Sequence, residues 1–424
     1  MIELFDLFFD TVSKDETLDA SYPTWDAGQI RAFVRSRMQK DAFYDTLLPR
    51  MFDVLNRQHL GLLTQRILPL RNKTASGKTV YYLDRPCRLD ETVEVHPWWG
   101  LGSTVTICRK DYRPEELHQS KSGSNFAFCD TVVPRPGSTC RCGKYLLNCA
   151  QNEEQVDLLM GEAQAEAIGT MQYVMREHQP FERVLSMKET VRSDYADLFY
   201  ARSKFYESGV LNLPPQLSEK ATLRPRPEEF GGGILSSERY LFFNFGRRVV
   251  VAEIWNDFLC SPFQSTDVNT HDLLDAASPT LRSDEHMDLT TKIGCKDCHA
   301  RLEYGIRAYS AFDAYRGTRF ERARQFDGVT KFFLHDSTDL RGAGPATPQW
   351  VGETIGKQPE FASCIVRRVE EVVFSGTKVP TNLHARLSSR FAEGHDLANL
   401  FEDTVVGYTL GAQSLDGSPH VPAL

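Results

Sequence analysis

Nowhere in its 424 residues does the chain carry eighteen apolar residues in a row. The closest approach, residues 240–260, is broken by Arg247, Arg248, Glu253, Asn256 and Asp257, so it reads as a buried helix and not as a membrane span. Basic charge is scarce as well: 49 Lys and Arg against 57 Asp and Glu leave a formal net charge of -8. That balance argues against nucleic acid as a partner, since phosphate binding needs a basic face. The short pairs Arg247-Arg248 and Arg367-Arg368 read as solvated helix faces. Several chemical signatures are missing too. There is no G-x-S-x-G elbow and no H-E-x-x-H. Ser76-Gly77-Lys78-Thr79 has Asn72 where a phosphate-binding loop needs its first Gly, which leaves a turn. Neither Gly100-Leu101-Gly102 nor Gly231-Gly232-Gly233 continues into a dinucleotide fingerprint. The first ten residues place Glu3, Asp6 and Asp10 where a secretory signal needs basic residues and an unbroken apolar stretch.

What the chain does have is cysteine, ten of them, in an informative order. Cys295-Lys296-Asp297-Cys298-His299 is a C-x-x-C-H run. Two thiols three residues apart on one turn can each form a thioether to a haem vinyl group, and the adjacent imidazole then lies under the iron. The run therefore predicts one covalent haem c, with Cys295 and Cys298 holding the porphyrin and His299 as proximal iron ligand; a dithiol redox pair or half of a zinc site are the competing readings. Setting those two cysteines aside leaves Cys87, Cys108, Cys129, Cys140, Cys142, Cys149, Cys260 and Cys364. An even number permits up to four disulfides and, with the haem motif, points to a periplasmic or extracellular setting.

At this length the chain exceeds a typical single core, and hydrophobic 41 % with charged 25 % is ordinary for a folded protein. Residues 27–63 read as two helices, with Leu47, Leu48, Met51, Phe52 and Leu55 forming a core stripe. From 67 to about 149 the pattern becomes irregular, with strands predicted over 79–83 and 104–108 between Pro-, Gly- and Ser-rich turns. Six cysteines fall in this segment. Disulfide staples are the leading reading of them, with Cys140 and Cys142 bonded to separate partners, and zinc on Cys129, Cys140, Cys142 and Cys149 is the alternative. Helix is predicted again over 152–177 and 193–205, and a Pro- and Gly-rich break over 211–233 marks the best boundary. Beyond it, 234–259, 295–315, 360–374 and 396–408 are helix candidates. The expected organisation is an N-terminal helical segment (1–66), a Cys-rich irregular or short-β insertion (67–150), a helical domain (151–230) and a C-terminal haem c-like module (231–424). His96-Pro97-Trp98-Trp99-Gly100 offers two adjacent indoles, either a sugar or partner platform or simply core packing.

Gly232-Gly233-Ile234-Leu235-Ser236-Ser237, Phe258-Leu259-Cys260-Ser261-Pro262-Phe263, Gly294-Cys295-Lys296-Asp297-Cys298-His299-Ala300-Arg301-Leu302-Glu303 and Phe361-Ala362-Ser363-Cys364 resemble the C-terminal modules of planctomycete-type cytochrome c proteins. These multidomain proteins occur in planctomycetes, myxobacteria and their relatives. Arg176-Glu177-His178-Gln179-Pro180-Phe181-Glu182-Arg183-Val184-Leu185, continuing through Asp194-Tyr195-Ala196, resembles the helical module that precedes them. The resemblance spans roughly residues 150–410 and implies an exported haem c protein. Glu303-Tyr304-Gly305 departs from the family, which carries a Pro after the corresponding position.

No Met follows Met287, which excludes the usual downstream methionine as second axial ligand. Met287 and His286 upstream, and His335, His384 and His395 downstream, are the candidates, together with an open iron. His335 in Phe332-Phe333-Leu334-His335-Asp336 is the first choice, because an apolar run would shield the haem face and Asp336 could hold the ring. The expected fold is mainly α: helical domains, a disulfide-rich irregular or short-β insertion and a C-terminal cytochrome c-like helical module. The expected function is single-electron transfer to a redox partner protein, with peripheral or surface association allowed. The alternatives are a haem enzyme with an open distal site, peroxidase-like or coupled to a substrate site, and a haem-free surface protein in which Cys295 and Cys298 are disulfide partners of Cys260 and Cys364.

Overall fold

The fold follows from a computed structural model, which describes residues 25–52, 55, 67–112, 117–119, 126–128, 141–242, 247–262, 296–313, 319–320, 325–336, 338–374, 379, 381–411 and 415. In chain order the elements are α1 (Ala27–Met38), α2 (Asp41–Met51), β1 (Leu68–Pro69), β2 (Arg71–Ala75), β3 (Lys78–Tyr82), β4 (Thr92–Val95), β5 (Val105–Cys108), α3 (Arg109–Tyr112), β6 (Leu117–Gln119), β7 (Phe126–Phe128) and β8 (Cys149–Ala150). The second half continues with α4 (Glu153–Arg176), β9 (Glu189–Arg192), α5 (Asp194–Ser208), β10 (Thr222–Pro225), α6 (Glu238–Phe242), α7 (Arg247–Leu259), α8 (Lys296–Ala308), β11 (Phe312–Asp313), β12 (Arg319–Phe320), β13 (Val329–Phe333), β14 (Leu340–Pro345), α9 (Pro348–Gly356), α10 (Pro359–Phe374), α11 (Thr381–Ala392) and α12 (Leu397–Leu410).

Local chemistry accounts for several helix starts. Asp26 and Gln29 form a capping box ahead of α1, while the Asn152, Ser193, Thr347 and Asp396 side chains accept the free N–H groups that open α4, α5, α9 and α12. Ser76 and Gly77 both take left-handed φ (53° and 75°) in the two-residue turn joining β2 to β3, the geometry that tight hairpins need. The Cys-rich segment is built on a four-stranded sheet of order β2-β3-β5-β4, in which β3 and β5 run parallel. Cys87–Cys108 (Cα–Cα 5.8 Å) and Cys142–Cys149 (5.0 Å) staple it. The staple expectation thus holds for four of the six cysteines, and Cys142 does find a partner other than Cys140. With Cys142 and Cys149 bonded to each other, the zinc set on Cys129, Cys140, Cys142 and Cys149 loses two ligands. Cys129 and Cys140 lie outside the described residues.

The mainly α expectation with a separate cytochrome c-like module is corrected here. Helix makes up 57 % and strand 15 %, in twelve α-helices and several small sheets among the described residues, a mixed α and β content. The C-terminal helices α10, α11 and α12 pack on one another, yet they do not stand apart from the N-terminal ones. α12 packs on α1 and α10 on α2, and one apolar core runs from Ile30 and Leu47 through Met171 and Phe181 to Phe258, Phe361 and Phe401. Phe43 meets Phe401 edge-on at 6.0 Å, and Phe52 stands 5.4 Å from Phe258 and 6.1 Å from Phe181. The physical reason lies in the apolar faces of α1 and α2: they are too large to leave in water, and the C-terminal helices cover them. A buried polar network anchors the middle of the chain. Glu166 on α4 accepts from Tyr200 Oη (2.6 Å) and Thr190 Oγ1 (2.7 Å), and Arg226 donates to Tyr200 Oη (2.8 Å). The segment expected as one helix over 234–259 is a 3-10 turn (Gly233–Ser236) followed by α6 and α7. Arg226 holds the carbonyls of Gly233 and Ser236, which draws them away from helical partners.

Candidate functional site

Cys298 and His299 lie in the first turn of α8, two and three residues after Lys296 at its start. Cys295 lies outside the described residues. What positions α8 is a close approach to α7: a Cβ on Gly305 would stand 2.6 Å from Val251 Cγ1, so only glycine lets the two helices meet there. Leu302 and Ile306 pack against the main core, and Thr330 on β13 donates to the Tyr304 carbonyl.

Arg301 ties this helix to two other segments. It is 6 % exposed. Its Nη2 donates to the Ser261 carbonyl and to Ser261 Oγ (both 2.9 Å), and its Nη1 donates to the His335 carbonyl (3.3 Å). Ser261 follows Cys260, whose disulfide to Cys364 on α10 (Cα–Cα 5.2 Å) closes a separation of 104 residues. Trp255 on α7 adds a bond from Nε1 to the Phe333 carbonyl (3.0 Å). The backbone of His335 is thereby brought to the helix that carries Cys298 and His299. Arg301 escaped the sequence reading, although a signal existed: Arg301, Gly305 and Ala308 recur at helical spacing and share the buried face.

The His335 side is less enclosed than expected. His335 is exposed, and Asp336 does not stand ready as the holder of its ring. Asp336 Oδ1 accepts from Thr338 N (2.7 Å), Thr338 Oγ1 (2.6 Å) and Asp339 N (3.2 Å). Those bonds, the Thr338 hydroxyl foremost, hold its carboxyl below the ordinary value. The bridge between Cys260 and Cys364 also removes the reading in which those two cysteines partner Cys295 and Cys298.

Each of the other described candidate histidines is engaged by a carboxylate. His395 Nδ1 sits 2.8 Å from Glu182 Oε2, with its ring between Phe361 (5.5 Å) and Phe391 (5.2 Å). His178, which the sequence did not single out, makes the reciprocal tie to Asp396 at 2.9 Å. His384 Nδ1 is 2.7 Å from Glu370 Oε2, while its Nε2 is 3.4 Å from Ser363 Oγ and 3.5 Å from Ser388 Oγ. Glu370 is 4 % exposed, and burial pushes its carboxyl above the ordinary value against the opposing pull of His384. His286 and Met287 lie outside the described residues. No group of three or more His, Cys, Asp or Glu is arranged to hold a metal ion among the described residues.

The paired indoles are not an open platform. Trp98 is fully buried, donates from Nε1 to the Cys149 carbonyl (2.8 Å) and meets Trp99 edge-on at 5.4 Å. A cleft of about 370 Å³ opens elsewhere, between Glu228, Glu229, Ser310, Phe312, Thr347 and Gln349. Glu229 there is paired with Lys204 at 2.8 Å. Among the described residues no helix is long and apolar enough to cross a membrane. Compared with models of protein families, with curated proteins and with solved structures, the chain matches none.

Proposed function

We propose that this chain is an extracytoplasmic c-type haem protein that passes single electrons to a partner protein, with one haem held by Cys295 and Cys298 and ligated by His299. The observation that carries the reading is the location of Cys298 and His299 in the first turn of α8, beside a segment already sealed by Cys260–Cys364. The donor set fits the group: two cysteines three positions apart in sequence and a histidine on the next residue. A bound haem supplies a one-electron couple whose potential follows its axial ligands and the polarity around it.

The chain's own part is to hold that turn still. Arg301 clamps it to Ser261 and to the backbone of His335, and the apolar side of α8 is packed into the core. His335 is the proposed second ligand. Three disulfides among the described residues support a periplasmic or extracellular location.

Expression behind a signal sequence, in a host that matures cytochromes c, should yield a covalent haem adduct in denaturing mass spectrometry. An apo mass would overturn the reading. With haem attached, a low-spin ferric spectrum unchanged by cyanide is expected, and His335→Ala should turn it high-spin; an unchanged spectrum would remove His335 as ligand. A high-spin, cyanide-binding wild type would instead mark an enzyme with an open distal face. The engagement of Asp336 by its own turn favours that second reading.

A further inference from the structure

Helices α10 and α11 face each other across a polar seam. On α10, Ser363, Arg367 and Glu370 recur at positions i, i+4 and i+7, which places them along one face; on α11, His384 and Ser388 do the same at i and i+4. The distances order these groups. Glu370 Oε2 holds His384 Nδ1 at 2.7 Å, and His384 Nε2 faces Ser363 Oγ at 3.4 Å and Ser388 Oγ at 3.5 Å. Hydroxyl, imidazole and buried carboxylate in this sequence are a nucleophile, a base and the group that orients the base. A separation of 3.4 Å is loose for a finished hydrogen bond but within what such pairs show before a substrate tightens them. With Nδ1–H donated to Glu370, the lone pair of Nε2 is the one left toward the hydroxyls. The His384 side chain is 35 % exposed and that of Glu370 only 5 %, so the imidazole is reachable from solvent while the carboxylate is shielded.

We propose that Ser363, His384 and Glu370 form an acyl-transfer site that hydrolyses small carboxylic esters, independently of the haem motif. Ser363 Oγ attacks the acyl carbon as His384 Nε2 takes its proton. The tetrahedral adduct collapses, the ester C–O bond breaks, and the alcohol leaves with the proton from Nε2. Water, deprotonated by the same nitrogen, then attacks the acyl-serine; the acid departs and Ser363 regains its proton. Glu370 does not exchange protons with the substrate and acts as a positioning residue. Ser388 supplies a second hydroxyl beside Nε2, and Arg367, exposed one turn beyond Ser363, adds positive charge near Glu370.

The same contacts would also serve as a plain clasp between two helices, and the experiment separates the two. The full chain is treated with a fluorophosphonate probe, the label is located by peptide mass spectrometry, and hydrolysis of p-nitrophenyl acetate is followed in parallel. The expected result is label on Ser363, with hydrolysis falling about 100-fold or more in Ser363→Ala at an unchanged unfolding temperature. Glu370→Gln should lower the rate and change its pH profile. Label elsewhere, including on Ser388, or hydrolysis that survives Ser363→Ala, would overturn the assignment.

Discussion

Asp111 is fully buried, with Oδ2 accepting the Leu83 N–H at 3.2 Å and Oδ1 making no hydrogen bond. Arg141 approaches Oδ1 only to 3.9 Å. Burial pushes this carboxyl above its ordinary value, and the Leu83 N–H and nearby cations offset only part of the effect. Because the folded value is the higher one, the group's stabilising contribution is complete below about pH 3.9, the unfolded value, and is lost as pH rises through the folded value. Asp111→Asn should therefore gain stability relative to the wild type between pH 3.5 and pH 7, read as the difference in urea midpoints at the two pH values. A constant difference would mean that Asp111 titrates as an exposed acid does. At this scale little was legible in the sequence. Asp111, Arg301 and Glu370 are charged residues that composition assigns to the surface by default, and only their neighbours in the folded chain reveal the burial.

Elements were more readable, because caps and periodicity are local. The helix expected over 152–177 is α4 with Asn152 as its cap, and the strand expected over 104–108 is β5. The hairpin β13–β14 and helices α9 and α11 went unread, although Val351 and Ile355 on α9 and Leu383, Leu387 and Phe391 on α11 are buried at helical spacing. Backbone constraints separate two glycines. Gly233 has φ +53°, and a Cβ there would lie 2.0 Å from the Val184 carbonyl oxygen; Gly161, exposed on α4, has nothing within 4 Å. Gly233→Ala should cost about 2–4 kcal/mol by adding left-handed strain to a clash with backbone. Gly161→Ala should gain about 0.5–1 kcal/mol by restricting the unfolded chain and extending good helix former. Thermal unfolding of the two variants checks both signs. Equal effects would mean that the 3-10 turn at Gly233 is not packed against the segment of Val184.

For the whole molecule, the bridge from Cys260 to Cys364 matters most among the described residues, as it closes a separation of 104 residues against 21 and 7 for the other two bridges described. In the chain-entropy account a loop near that length restricts the unfolded state by about 4.7 kcal/mol. The double replacement Cys260→Ser, Cys364→Ser should lower stability by about 2–5 kcal/mol in denaturant titration. A loss under about 1 kcal/mol would mean that the bridge constrains the unfolded chain far less than its span requires.

The sequence by itself determined what depends on residues a few positions apart. It grouped two thiols and an imidazole within five consecutive residues, supplied the helix caps and the hairpin turn at Ser76-Gly77, and set the number of cysteines available for bridging. The tertiary structure alone decided which cysteine takes which, and that His384 and His395 have carboxylates of their own. It also decided that α1 and α2 are covered by α10 and α12 in one core, where a separate C-terminal module was expected. These are contacts between residues a hundred or more positions apart or between different elements, and their pairing follows from how apolar faces and buried charges are satisfied together, which spacing along the chain does not encode.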